Sequence, residues 1–156
     1  MEISKKENIE REQAGLLVAL SLQIEKFCQI KEKFLASKFK LTPAEIRCLS
    51  YIKDNIIITT NTIARDMNLS AGRVTHLLNS LEKGELIKRQ IDGQDRRSIL
   101  ISLTEKANKL IDRVFEEYVD LQIEVLKYLP ENRREKVLNE MQCYFDAFKR
   151  WVADLN

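Results

Sequence analysis

Only four glycines and two prolines interrupt 156 residues. A chain that turns often needs both, glycine for left-handed turn positions and proline for fixed bends. An all-β sandwich or barrel spends such residues roughly every 8–12 positions. The shortage therefore excludes that class and predicts long helices. Hydrophobic residues at 44% and charged residues at 32% describe an ordered, soluble globular chain rather than a disordered tail. The length suits one domain with helical extensions, large enough to bury a core without staples.

Other classes fall on inventory. No apolar run approaches the ~20 residues of a membrane span. Met1 to Arg11 is polar and mixed in charge, with no apolar signal core behind it, so a cytoplasmic protein is expected. Cys28, Cys48 and Cys143 are odd in number and far apart, and His76 is the single histidine. That set predicts no disulfide framework, no metal site and no cofactor. The cysteines read as packing residues, against the alternative that one senses oxidant. One histidine, no Gly-rich phosphate loop and no spaced nucleophile, base and acid argue against an enzyme. The formal net charge is +2, with residues 1–40 and 41–103 each at +2 and residues 104–156 at −2. This permits nucleic-acid binding without arguing for it.

The periodicity along the chain is mostly helical. Leu16, Leu20, Ile24, Phe27, Ile30 and Phe34 recur every three or four residues, predicting one long amphipathic helix over about 7–39. Thr42-Pro43-Ala44-Glu45 is a capping box with proline in the first turn, opening a helix to about Lys53 with Ile46, Cys48, Leu49 and Ile52 inward. Ile56 to Ile58 is a short β-prone run. Thr59 or Thr60 caps a short helix to Met67, Asn68 supplies a tight turn, and Ser70 caps a helix to about Lys83. Gly84 is expected to end it. Leu86–Ile91 and Ser98–Leu103 read as strands around the hairpin signal Asp92-Gly93. Thr104 caps a helix to about Leu129, Pro130 stops it, and a last helix follows.

The fold class expected is mainly α with a small β-hairpin wing: a winged helix-turn-helix flanked by long dimerisation helices. The segments are 1–40, an N-terminal dimerisation helix; 41–103, the winged helix-turn-helix; and 104–156, C-terminal dimerisation helices. In a helix-turn-helix the second helix offers its outer face to the DNA major groove. Here Val74, Leu77, Leu78 and Leu81 would face inward. Ser70, Ala71, Gly72, Arg73, Thr75, His76 and Asn79 would face out. The first turn is small enough for close backbone approach, Ser70 and the free amides can hold a phosphate oxygen, and Arg73, His76 and Asn79 can bond base edges. An ordinary solvated helix face would look similar. The wing shifts that balance. Gln94, Asp95, Arg96 and Arg97 place adjacent guanidinium groups on a hairpin tip, suited to the negative potential of a minor groove. A local ion pair on a charged loop is the blander account, and Asp95 could equally hold an arginine in one rotamer.

The run from Leu69 to Ala107, LSAGRVTHLLNSLEKGELIKRQIDGQDRRSILISLTEKA, resembles the MarR (multiple antibiotic resistance regulator) family of winged-helix regulators. The resemblance lies in the serine-initiated recognition helix, the LEK ending, the DxxDRR wing and the LTEK opening of the next helix. LTPAEIRCLSYI at 41–52 and TIARDMNLS at 62–70 extend it. It implies a homodimer with intertwined end helices and a pseudo-palindromic double-stranded DNA operator. It also implies repression, and release on binding a small lipophilic or phenolic effector whose pocket residues the sequence does not identify. On that pattern Arg97 enters the minor groove with Asp95 orienting it, while Arg73, Thr75, His76 and Asn79 sit in the major groove. The chain departs from the pattern at Glu85, where a glycine is usual and Gly84 comes one place early. It also departs at His76, often arginine, and at Gly72, commonly serine. The alternative function is a helical dimer whose winged helix binds another protein. Such a module would not need Arg96 and Arg97 on the wing.

Overall fold

The computed structural model describes residues 5–55, 58–91 and 99–155. The element order is α1 (Lys5–Lys38), α2 (Pro43–Asp54), α3 (Thr60–Asp66), α4 (Ala71–Lys83), β1 (Ile87–Ile91), β2 (Ile99–Leu103), α5 (Glu105–Leu126) and α6 (Glu131–Asp154). This is the mainly helical winged helix-turn-helix expected from the pattern. The chain forms two compact units, Met1–Glu117 and Tyr118–Asn156, divided inside α5.

Local chemistry sets most helix starts. Thr42 caps α2 through the Glu45 amide, and the Glu45 carboxylate returns to the Thr42 amide at 2.7 Å with Pro43 in the first turn. Thr59, not Thr60, caps α3, paired reciprocally with Thr62. The Ser70 hydroxyl accepts from the Arg73 amide at 3.4 Å to open α4. Thr104 accepts from the Ala107 amide at 3.1 Å to open α5.

Three helix ends share one device in which glycine takes no left-handed position. Lys40 (φ 56), Asn68 (φ 51) and Glu85 (φ 59) each adopt the left-handed conformation. In each case the next residue is a leucine whose amide reaches back five residues: Leu41 to the Ala36 carbonyl, Leu69 to Ala64, and Leu86 to Leu81, all at 2.9 Å. These are Schellman ends, with the leucine supplying the apolar contact. As expected, α4 ends at Gly84, which is its C-cap. Gly84 keeps right-handed geometry (φ −74), and the strained position is Glu85. The left-handed turn at Glu85 then sends Leu86, two residues beyond the glycine, into the core.

In the first unit the core gathers Leu49, Ile52, Ile63, Leu78, Leu81 and Ile101 from α2, α3, α4 and β2, with Ala107 and Ile111 of α5 closing it. Every inward residue expected of α2 and α4 is buried. β1 and β2 pair antiparallel with Ile87 opposite Leu103, Arg89 opposite Ile101 and Ile91 opposite Ile99. Of the face predicted to hold Ile99, Ile101 and Leu103, only Ile101 is fully buried, because the hairpin runs out past the core edge. Ile58, from the β-prone run, is buried and accepts from the Ile101 amide at 3.0 Å, so it joins the free side of β2. Ile56 and Ile57 lie outside the described residues.

α1 is 34 residues, about 50 Å at ~1.5 Å per residue. Its last turns bury Leu35 and Ala36, whereas Leu16, Leu20, Ile24 and Phe27 are exposed. α5 ends at Leu126, short of the expected Leu129. Residues 127–129 tighten into i→i+3 bonds ahead of Pro130. In the second unit α6 buries no residue, and Tyr144, Phe145, Phe148 and Trp151 form a chain of tilted ring contacts at 5.4–6.4 Å. The three cysteines, expected as packing residues, differ in burial. Cys48 is buried, while Cys28 and Cys143 are exposed on α1 and α6.

Candidate nucleic-acid interface

α3 and α4 are joined by the turn Met67–Ser70, which the left-handed Asn68 makes tight enough for Leu69 to fold back on α3. Burying Val74, Leu77, Leu78 and Leu81 leaves Ser70, Ala71, Gly72, Arg73, Thr75, His76 and Asn79 all exposed on the other side of α4. The structure thus brings the recognition-helix candidates onto one surface. Their chemical states differ. The Thr75 hydroxyl donates to the Ala71 carbonyl at 2.9 Å, so outwardly it offers a methyl group and lone pairs, not a proton. A Cβ added to Gly72 would meet nothing within 4 Å, so the fold does not require glycine there. Arg73 and His76 remain exposed. Asn79 is engaged: its Oδ1 accepts from Arg89 Nη2 at 2.7 Å.

The inner grip on α4 comes from α2. Glu45 is 8% exposed and joins three groups. Ser80 donates to its Oε1 at 2.6 Å, and the Thr42 amide and hydroxyl donate to Oε2 at 2.7 and 3.0 Å. Burial works to raise this carboxyl. The Ser80 bond, the two Thr42 bonds and the nearby His76 outweigh it, and the net direction is down from 4.5. Glu45 was legible in the sequence only as a capping residue. Nothing local signals that it also anchors the recognition helix 35 residues later.

The end of α4 is fastened to α5. The Thr104 hydroxyl donates to the Glu85 carbonyl at 2.8 Å, and Lys106 donates to the Gly84 carbonyl at 2.8 Å. The LTEK opening of α5 therefore locks onto Gly84 and Glu85, just after the LEK ending, at the root of the wing. The tip itself, with Gln94, Asp95, Arg96 and Arg97, lies outside the described residues. At its base Ile91 is 70% exposed.

Other chemistries find little support in the residues present. Among the described residues no group of three His, Cys, Asp or Glu side chains could hold a metal ion, and no helix is long and apolar enough to cross a membrane. An open groove of about 550 Å³ runs along α5, lined by Glu105, Lys106, Lys109, Leu110 and Arg113. Its cations are already engaged: Lys106 with Gly84, Lys109 with Glu105 at 2.6 Å, and Arg113 over the Phe39 ring. Burial and the nearby Glu45 push the Cys48 thiol up to about 12, which removes it from thiolate chemistry near neutrality.

The family model for the MarR family matches residues 41–99, from the start of α2 to the start of β2. The HTH-type transcriptional repressor MdtR of Bacillus subtilis is 30% identical over 116 residues, covering 73% of this chain and 74% of MdtR. The chain belongs to the MarR family. Its relatives are HTH-type transcriptional regulators, among them YfiV of B. subtilis, 30% identical over 79 residues. That match spans 51% of this chain and about half of YfiV (49%). In fold, this MarR family chain is similar to a MepR mutant of Staphylococcus aureus bound to an oligodeoxyribonucleotide. The TM-score is 0.66 at 22% identity, over 85% of this chain and 97% of that one. At that identity the likeness concerns the fold alone. The family match covers every recognition-helix residue named above.

Proposed function

We propose that this MarR family protein is a sequence-specific double-stranded DNA-binding transcriptional regulator. It acts as a homodimer on a pseudo-palindromic operator, as a repressor released by a small lipophilic or phenolic effector. The observation that carries the reading is the outer face of α4. Its first two turns, Ser70 to His76, are small, polar and exposed, while Glu45 and Arg89 hold the rest of the helix. Arg73 and His76 read base edges, Ser70 and the free amides take a phosphate, and Arg97 reaches the minor groove with Arg96, Asp95 and Gln94 around it. The uncovered apolar faces of α1 and α6, with Phe27 60% and Trp151 55% exposed, support the dimer. The two recognition helices then read half-sites one DNA turn apart, ~34–36 Å. Segments 1–40 and 104–156 serve dimerisation. The repressor role and the effector follow from the family pattern.

Selection from a random duplex pool at about physiological salt, with wild type and Arg97→Ala in parallel, tests this. The expected result is an inverted repeat, recovered by wild type and weakened or lost in the variant. A folded dimer that enriches no duplex would overturn the reading in favour of a protein-binding winged helix.

A further inference from the structure

Arg89 is a cation on the wrong side of a strand. Strand alternation puts Ile87, Arg89 and Ile91 on one face of β1, and the register sets Arg89 opposite the buried Ile101. Its side chain is only 23% exposed. What holds it there is α4. Nη2 donates to Asn79 Oδ1 at 2.7 Å, and Nε lies 3.3 Å from Glu82 Oε2, shut off from water and out of line for a hydrogen bond. Asn79 and Glu82 are three residues apart, adjacent on one helix face, so a planar guanidinium spans both. A guanidinium only donates, so the Asn79 oxygen must face it. That oxygen is the atom Asn would need to accept from adenine N6 in a bidentate base contact.

We infer that Arg89 is a positioning residue. Through Asn79 and Glu82 it fixes the wing against the recognition helix, so that sequence discrimination depends on Arg89 and Asn79 without either touching a base. The inference rests on the DNA-binding reading and changes one part of it: Asn79 moves from base contact to clamp. The physical need is plain. A two-stranded hairpin is marginal alone, and a protein that reads two grooves at once must hold its two reading elements at a set angle.

The test uses full-length wild type, Arg89→Met, Asn79→Ala and the double variant, each checked for folding by thermal melting. Arg89→Lys is the conservative control, keeping the charge but not the fork. Asn79→Ala raises helix propensity, so it should fold even if Arg89→Met does not. Binding to the selected duplex and to a scrambled duplex is measured across a salt series. Amide hydrogen exchange of β1 and β2 is followed without DNA. Losing one hydrogen bond to a charged group corresponds to about tenfold. We expect each single variant to lower the ratio of specific to non-specific binding by about that factor. The double variant should match Arg89→Met, Arg89→Lys should recover only part, and the salt slope should not change. Strand amides should exchange faster in Asn79→Ala and Arg89→Met, and no faster in the double variant than in Arg89→Met. Full additivity would return Asn79 to base contact and overturn the clamp. A salt slope reduced by about one, with uniform loss on both duplexes, would make Arg89 a phosphate ligand and also overturn it. Wild type that selects no duplex would refute the DNA-binding reading and the discrimination claim with it. The exchange arm would then decide the clamp alone, and unchanged strand exchange would reject it.

Discussion

α4 and α6 are built from the same kinds of residue and reach opposite ends. α4 spends Val74, Leu77, Leu78 and Leu81 on a core shared with α2, α3 and β2, and every one is buried. α6 carries Leu138, Met141, Phe145, Phe148 and Trp151 at helical spacing and buries none of them. α1 repeats the contrast within a single helix, exposed from Leu16 to Phe34 and buried at Leu35 and Ala36. Helical periodicity tells which residues seek cover. It does not tell whether the cover is supplied by the same chain. The winged helix closes its own core and can present a polar face outward. The end helices leave Leu16, Phe27, Phe148 and Trp151 exposed.

The sharpest way to break that contrast is a pair of truncations. Leu78→Ala removes a fully buried side chain and should cost about 2–5 kcal/mol in chemical denaturation. On the proposed dimer, Phe148→Ala should leave secondary structure intact and instead raise the dissociation constant at least about tenfold, read by sedimentation at falling concentration. If Phe148→Ala unfolds the protein at concentrations where wild type is monomeric, α6 belongs to a protomer core and the contrast fails.

A smaller effect probes how the closed half grips α4. Glu45→Gln should cost roughly 1–2 kcal/mol and change the acid limb of stability. The Glu45 carboxyl sits lower in the fold than its usual 4.5. It therefore contributes stability fully above that value and loses it as pH falls through the lower folded value. Denaturation midpoints from pH 7 to 3 should fall less steeply in Glu45→Gln than in wild type. Parallel curves would mean the carboxylate bonds to Thr42 and Ser80 carry no net charge-dependent stability.

Glu85→Gly should stabilise by about 0.5–1 kcal/mol, since a left-handed glutamate is strained and glycine is not. Loss of the 3.3 Å contact to Lys106 takes little back, because both side chains are well exposed. Destabilisation by Glu85→Gly would show that the turn is held by something other than backbone geometry. The smallest effect separates the regions by reactivity alone. Alkylation of native protein at neutral pH should modify Cys28 and Cys143 and spare Cys48, read by mass spectrometry. A dimer that covers α1 and α6 should slow the first two without changing the third.

The sequence by itself determined whatever depends on residues three or four apart. The Thr42–Glu45 capping box, the serine and threonine helix starts, the inward stripes of α2 and α4, and the polar outer face from Ser70 to His76 all follow from spacing. Their hydrogen bonds and packing faces close within one helical turn. The site was legible to the same depth: which side chains share the outer face of α4 is a matter of period. Which of them are free is not. Asn79 is taken by Arg89 ten residues on, Ser80 is bonded to Glu45 thirty-five residues back, and Thr104 locks the Glu85 carbonyl nineteen residues earlier. Only the tertiary path of the chain decided those pairings, along with the left-handed turn at Glu85. A contact between elements costs chain closure and is repaid by burial, and no local spacing records where that balance falls.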